Sequence, residues 1–154
     1  MSYAEGTSVA FEKSIAEIIT LIKKAGASAI GQFEDDDGFA IQFAMQDRRV
    51  RFRVPFVTMD KMPTRDGRGS MLTNAQRMAK WEQAKRQRGR ALLLVIKAKL
   101  ESVESGVETM EEAFLAQVVT PSGQTVYERI AAPLALEYEA GVPSVVAGLL
   151  GGPA

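Results

Sequence analysis

The side chains that could do chemistry in this sequence are cations and carboxylates, because it contains neither histidine nor cysteine. Without imidazole or thiolate there is no Ser-His or Cys-His pair and no metal site built on sulfur or imidazole. No side chain has an ordinary pKa near neutrality. We therefore predict a protein that is not an enzyme and that uses no cofactor and no metal ion.

Three arginines alternate along one predicted strand, where Arg49, Arg51 and Arg53 are separated by apolar residues. Because successive side chains of a strand point to opposite faces, the three guanidinium groups should project together from one face of a sheet. Such a group of like charges is costly unless negative charge balances it. The phosphates of a nucleic acid would supply that charge and release condensed cations.

The arginine row belongs to a longer basic block. Residues 48–99 contain fifteen lysines and arginines against three acids, whereas the segments before and after them carry net charges of −5 and −7. We predict that nucleic acid contacts the cations of this block and the one aromatic ring with cations on either side: Arg49, Arg51, Arg53, Lys61, Arg65, Arg68, Arg77, Lys80, Trp81, Lys85, Arg86, Arg88 and Arg90. The alternative is that the acidic outer thirds of the same chain, or of a neighbouring copy, neutralise the block.

Two acidic features are weaker candidates. The turn Asp35–Asp37 offers oxygen ligands for a hard cation but matches no calcium-loop spacing, so a solvated turn is the better interpretation. Glu82 and Lys85 stand one helical turn apart, which loosely resembles a nuclease pair and is ordinarily a surface ion pair. A magnesium-dependent nuclease is therefore a minor alternative.

The elements that position these residues are predicted from hydrophobic periodicity. Apolar residues at helical spacing from Phe11 to Ile22 indicate an amphipathic helix, with Ser8 as its N-cap and Gly26 as its end. From residue 29 the period changes to two, which predicts three antiparallel strands near 30–33, 39–45 and 50–54 that end at Pro55. The aromatic residues of this region should lie in the core: Phe33, Phe39, Phe43, Phe52 and Phe56.

The second half of the chain is predicted to be mainly helical. Residues 58–73 are predicted to form a mobile basic loop, and a helix should follow over 74–105. Within this helix, residues 91–96 should be buried on most sides, and Gly89 should mark a bend or a close contact. Thr109 should cap a short helix, and a last helix should run over 125–138 with an interruption at Pro133. The fold class is therefore a single α+β domain over 1–154, with 142–154 as a docking tail.

Location and membrane contact are predicted from what the sequence lacks. There is no run of eighteen apolar residues and no basic start followed by an apolar stretch. We expect a cytoplasmic protein with no membrane partner, located in the host cytoplasm if a phage encodes it.

Two stretches resemble a known group of proteins. The strings WEQAKRQRGRALLLVIKAKLESVESG at 81–106 and ETMEEAFLAQVVTPSGQTV at 108–126 are similar to a set of uncharacterised small proteins of phages and prophages. The resemblance covers the chain from about residue 9 to the tail. It implies a phage or mobile-element context and brings no established activity.

The order of elements also resembles the core of phage and eukaryotic single-strand annealing recombinases. That resemblance implies rings or filaments in which a basic groove between sheet and helix holds single-stranded DNA. The residues it would assign to phosphate contacts are Arg49, Arg51, Arg53, Arg86, Arg88 and Arg90. Recombination is the process that it suggests.

We therefore expect a homo-oligomeric, phage-type protein that binds nucleic acid, with single-stranded DNA as the first choice, although the charge pattern does not distinguish DNA from RNA. The alternative is a protein-interaction module, such as an inhibitor of a host defence complex or an assembly factor. In that case the basic face would meet an acidic protein partner.

Overall fold

The computed structural model describes residues 2–143, and it confirms the predicted α+β architecture. The predicted docking tail lies outside the described residues from position 144 onward. Two short 3-10 turns, Met59–Lys61 and Leu115–Gln117, join elements that follow one another in this order: α1 (Phe11–Lys24), β1 (Ser28–Glu34), β2 (Gly38–Met45), β3 (Arg48–Pro55), α2 (Asn74–Glu104), α3 (Met110–Phe114), β4 (Val118–Val119) and α4 (Val126–Ala140).

The predicted meander forms an antiparallel sheet with the order β1-β2-β3-β4. β2 and β3 pair along their full length, from Gly38 opposite Pro55 to Met45 opposite Arg48. They are joined by Gln46 and Asp47, whose φ angles of 48° and 63° are those of a tight two-residue hairpin turn. The two-residue strand β4 was not predicted, and it pairs with β3 near the start of that strand.

The side chain of Asp35, the first acidic residue of the turn between β1 and β2, closes that turn. The carboxylate of Asp35 accepts hydrogen bonds from the backbone N–H groups of Asp37 and Gly38 at 2.9 and 3.0 Å. A Cβ atom at Gly38 would lie 2.7 Å from the carbonyl oxygen of Val54, so only glycine fits there without a shift of the backbone. The predicted turn is thus confirmed.

The core lies between the apolar face of the sheet and two helices, α1 and α2. The predicted stripe of α1 is buried from Phe11 to Ile22, although Ala10 rather than Ser8 is the N-cap and no side chain caps the helix. A Cβ atom at Gly89 would lie 2.7 Å from the ring of Phe11, so this glycine permits the close approach of the two helices. α2 runs through Gly89 without interruption.

The prediction that 91–96 is buried on most sides is wrong. Leu92, Leu93 and Ile96 are buried in the core, but Val95 is exposed on the outer side of α2. One helix lying on a sheet buries one stripe, and nothing in the described chain covers the opposite side of α2 at this point.

Capping boxes fix the starts of three helices. In each box, the side chain of the N-cap threonine accepts a hydrogen bond from the backbone N–H of the residue three positions later. The side chain of that later residue accepts one in return from the backbone N–H of the threonine. The pairs are Thr73 with Gln76, Thr109 with Glu112, and Thr125 with Glu128. The hydrogen bond from the Thr109 backbone holds the pKa of Glu112 below its usual value. α4 continues past Pro133 to Ala140. Among the described residues, no helix is long and apolar enough to cross a membrane.

Candidate nucleic-acid interface

The face of the sheet that points away from α1 and α2 carries the predicted arginine row. Residues directly opposite each other in antiparallel strands project to the same face, so the register defines three cross-strand rows. They consist of Phe33, Ala40 and Arg53; of Gly31, Gln42 and Arg51; and of Ser28, Ala44 and Arg49. We call this surface the open face. Each row has an arginine on β3 and a small or uncharged residue on β2.

Phe33 is an aromatic residue of this surface, and its place corrects a prediction from the sequence. The alternation of apolar residues predicts that it lies in the core with the other phenylalanines, but it is 65% exposed. The cause is an irregular register in β1 between Ser28 and Gly31, where one extra residue is inserted relative to β2. This bulge moves Phe33 from the position opposite Phe39, on the apolar face, to the position opposite Ala40 on the open face.

The middle arginine of the row is held by the protein itself. The guanidinium of Arg51 donates to the carbonyl oxygen of Gly123 at 2.9 Å and contacts the carboxylate of Glu128 at 3.4 Å. Its side chain is only 16% exposed. Glu128 also accepts from the Thr125 backbone in the capping box of α4. Arg51 therefore fixes the start of α4 against the edge of the sheet.

The two outer arginines are more available. Arg53 is 67% exposed and reaches the Glu128 carboxylate only at 3.8 Å. Arg49 is exposed, and its side chain has no hydrogen-bond or ion-pair partner among residues 2–143. The open face thus presents Arg49 without a partner and Arg53 with one long contact to Glu128, and Arg51 is clamped between them.

The basic residues of α2 lie on the other side of the sheet. The ammonium group of Lys85 lies 5.0, 5.3 and 5.6 Å from the ring centres of Phe11, Phe56 and Trp81, and it pairs with Glu34 at 3.0 Å. The predicted surface pair of Lys85 with Glu82 is therefore wrong. The indole N–H of Trp81 donates to the carbonyl oxygen of Val57 at 2.7 Å, so this half-buried ring anchors α2.

Three further arginines of α2 make contacts within the chain. Arg77 donates to the carbonyl oxygen of Met59 at 2.7 Å and so attaches the loop after β3 to the helix. Arg86 donates to the side chain of Gln83, and Arg90 pairs with Glu17 of α1 at 3.3 Å. These groups stabilise the packing of α2, and Arg90 in particular joins it to α1.

The predicted basic loop has defined local structure. The Asp66 carboxylate accepts from the backbone N–H groups of Arg68 and Ser70, and Arg65 donates to the carbonyl oxygen of Gly69. Four other predicted site residues have side chains without a hydrogen-bond or ion-pair partner in the part of the chain that the structure describes: Lys61, Arg68, Lys80 and Arg88.

These placements separate the predicted site into two surfaces. The rows with Arg49, Arg51 and Arg53 point away from α2, while Arg86, Arg88 and Arg90 lie on that helix, beyond the core. The groove between sheet and helix that the recombinase resemblance implies is therefore not formed within residues 2–143, because apolar side chains fill the space between the sheet and α2.

The acidic turn Asp35–Asp37 follows β1 at the end of the open face that carries Phe33 and Arg53. All three acids are exposed, which fits the interpretation as a solvated turn, and the backbone hydrogen bonds of Asp35 hold it together. Within residues 2–143, no three acidic side chains come together in a way that could hold a metal ion.

Comparison of the chain with protein-family models, with curated proteins and with solved structures finds no match. The resemblances to phage proteins and to annealing recombinases therefore stay predictions.

Proposed function

We propose that this protein binds single-stranded nucleic acid across the open face of its sheet. The observation that carries the proposal is the row formed by Phe33, Ala40 and Arg53, in which an exposed ring and an exposed guanidinium stand on one face with a methyl group between them. Single strands are held by bases stacked on exposed aromatic rings and by cations along the backbone. Sheet faces with exposed aromatic residues are a recurrent platform for this purpose.

The composition of the open face supports a single strand as the ligand. The residues beside the ring and the arginines are Gly31, Ala40, Gln42 and Ala44, of which none carries a charge and all but Gln42 are small. Neighbouring strands lie about 4.8 Å apart, so the backbones of Phe33 and Arg53 are separated by roughly 10 Å. A base on the ring and a phosphate at the arginine can be reached by one short stretch of nucleic acid.

The affinity of this contact should be largely electrostatic. Arg49 and Arg53 would each neutralise a phosphate, and each such contact on a single strand contributes about 0.7 to the slope of log affinity against log salt. Contacts to the backbone position the strand without reading its sequence. We therefore expect little base preference at these two residues.

The test is fluorescence anisotropy with a labelled single-stranded oligonucleotide of about 16 nucleotides, which covers the usual site size, over a salt series. The double variant Arg49→Ala with Arg53→Ala should bind more weakly, with a salt slope reduced by about 1.4. The matched control is Lys23→Ala with Lys24→Ala, which removes the same charge from the exposed end of α1. Its slope should stay close to that of the wild type.

A second variant separates stacking from charge. Phe33→Ala should weaken binding without changing the salt slope, because it removes a ring and no cation. If the folded wild-type protein does not bind at low salt, or if the arginine and lysine double variants behave alike, the proposal is wrong.

One observation favours a second candidate, a protein-interaction module with an acidic partner. Glu128 shows that a carboxylate fits between Arg51 and Arg53. Binding of poly-glutamate without any binding of oligonucleotide would favour this function over the first.

A further inference from the structure

A cleft opens at the edge of the sheet that lies farthest from Phe33. β4 pairs only with Arg49 and Val50, so β3 from Arg51 onward has no strand beside it on this edge in the described chain. The start of α4 stands opposite this free edge. The space between them measures about 510 Å³ and is lined by Arg51, Arg53, Gln117, Thr125, Tyr127 and Glu128, among others.

The cleft is continuous with the open face, because Arg51 and Arg53 belong to both. Tyr127 stands on the far side of the cleft. It is the second residue of α4, and it is 65% exposed. Tyr127 also borders the apolar groove between α4 and α3, so its ring stands on the ridge between two hollows. The cleft therefore combines an exposed aromatic ring with nearby guanidinium groups, as the row of Phe33, Ala40 and Arg53 combines a ring with one guanidinium group.

We propose that this cleft is a second base-binding subsite, in which a nucleobase stacks on Tyr127 while the adjoining phosphate contacts Arg53. The inference rests on the proposed function, and it extends the path of the strand from Phe33 on β1, across the arginines of β3, to α4. The strand would then run across the β-strands and not along them. The ligand of the cleft is a nucleotide unit of the same single strand.

The carboxylate of Glu128 does not oppose this assignment, because the protein already neutralises it. Glu128 accepts from the Thr125 backbone, contacts Arg51 at 3.4 Å and lies 3.8 Å from Arg53. Two guanidinium groups and one carboxylate leave the cleft with one positive charge in excess. Arg53 lies farther from the carboxylate and is the more exposed of the two arginines, so it is the one that can turn to a phosphate.

The test compares Tyr127→Ala with Tyr138→Ala on the same helix, using the labelled oligonucleotide. Tyr138 is also strongly exposed but does not line the cleft, so it controls for loss of any surface ring. Loss of one stacked base should lower the affinity by about fivefold to about a hundredfold in Tyr127→Ala. Tyr138→Ala should bind like the wild type. Tyr127→Phe keeps the ring and should also bind like the wild type.

Photo-crosslinking adds a direct readout. A halogenated uracil oligonucleotide should crosslink to Tyr127 as well as to Phe33, and the two sites should be found by mass spectrometry of the digested complex. If Phe33→Ala weakens binding but Tyr127→Ala does not, and no crosslink appears on α4, the second subsite is wrong while the proposed function stands. If the wild type fails to bind at low salt, both are wrong. Weak binding by Tyr127→Phe would also reject a stacking role.

Discussion

The exposed arginines of β3 and the partnered cations of α2 look alike in the sequence but differ in what surrounds them. On α2, Lys85 lies against three rings and Glu34, and Arg90 pairs with Glu17 across the helix interface. On β3, Arg49 and Arg53 are exposed, and the closest acid to either, Glu128, is 3.8 Å from Arg53. A block of positive charge in a sequence therefore overstates the size of the binding surface. The cations already matched by the chain's own acceptors stabilise the fold, and the unmatched ones are free for a ligand.

The largest effect that tests this comparison is on stability. Lys85→Ala removes a side chain that is only 12% exposed, together with its contacts to Phe11, Phe56 and Trp81 and its ion pair to Glu34. Cation–π contacts in partly desolvated positions and lost packing are together worth about 2 kcal/mol. We expect the free energy of unfolding in urea to fall by about this amount, while the folded fraction keeps its affinity for the oligonucleotide.

Lys80→Ala is the matched control for that prediction, because Lys80 is an exposed lysine of the same helix. It should change the free energy of unfolding by less than about 0.5 kcal/mol. If Lys85→Ala left stability unchanged and abolished binding, Lys85 would belong with the cations of β3, and the division between the two regions would be wrong.

The sequence predicted the elements of this fold well, because each has a strong local signal. The helical stripe from Phe11 to Ile22 and the alternation in β2 and β3 are dictated by burial of one face. The same alternation correctly placed Arg49, Arg51 and Arg53 on one face of the sheet. The capping box at Thr109 was also predicted, whereas the one at Thr125 was missed although its Thr-x-x-Glu spacing is visible in the sequence.

The site could be predicted only in part, since its key features depend on contacts between distant residues. The bulge after Ser28, with Ala29 at a φ of 51°, turns Phe33 to the open face. Gly31 at the end of this bulge is the one local signal for it, because a glycine inside a strand often marks a bulge, but it does not give the register. Arg51 is clamped by Glu128, which follows it by 77 positions. The number of charges in the sequence also could not show that Lys85 forms its ion pair with Glu34 instead of Glu82.

A smaller effect, on the affinity for the oligonucleotide, is expected when the carboxylate of Glu128 no longer holds the two arginines. Glu128→Gln keeps a hydrogen-bonding group at the third position of α4 but removes the charge that Arg51 and Arg53 share. We expect oligonucleotide affinity to rise several-fold at low salt and the salt slope to steepen by up to about 0.7, as for one further phosphate contact. Anisotropy over the salt series measures both.

Glu139→Gln makes the same change of charge on the same helix, at an exposed residue outside the cleft, and controls for net charge. Its affinity should rise less than that of Glu128→Gln. Equal effects of the two variants would mean that the clamp on Arg51 does not limit binding, and that only the overall charge of α4 matters.

The smallest effect is expected in the fluorescence of Trp81, the single tryptophan of the chain, when the oligonucleotide binds. Trp81 lies on the covered side of the sheet, packed edge to face on Phe56 at 6.2 Å and bonded to Val57, so a strand on the open face cannot reach its ring. Its fluorescence should therefore change little when oligonucleotide saturates the protein. Strong quenching that follows the anisotropy curve would place the ligand on α2 and contradict binding at the open face. A second variant moves the reporter: with Trp81→Phe and Phe33→Trp combined, the only indole stands on the open face, and stacking of a base on it should quench the emission.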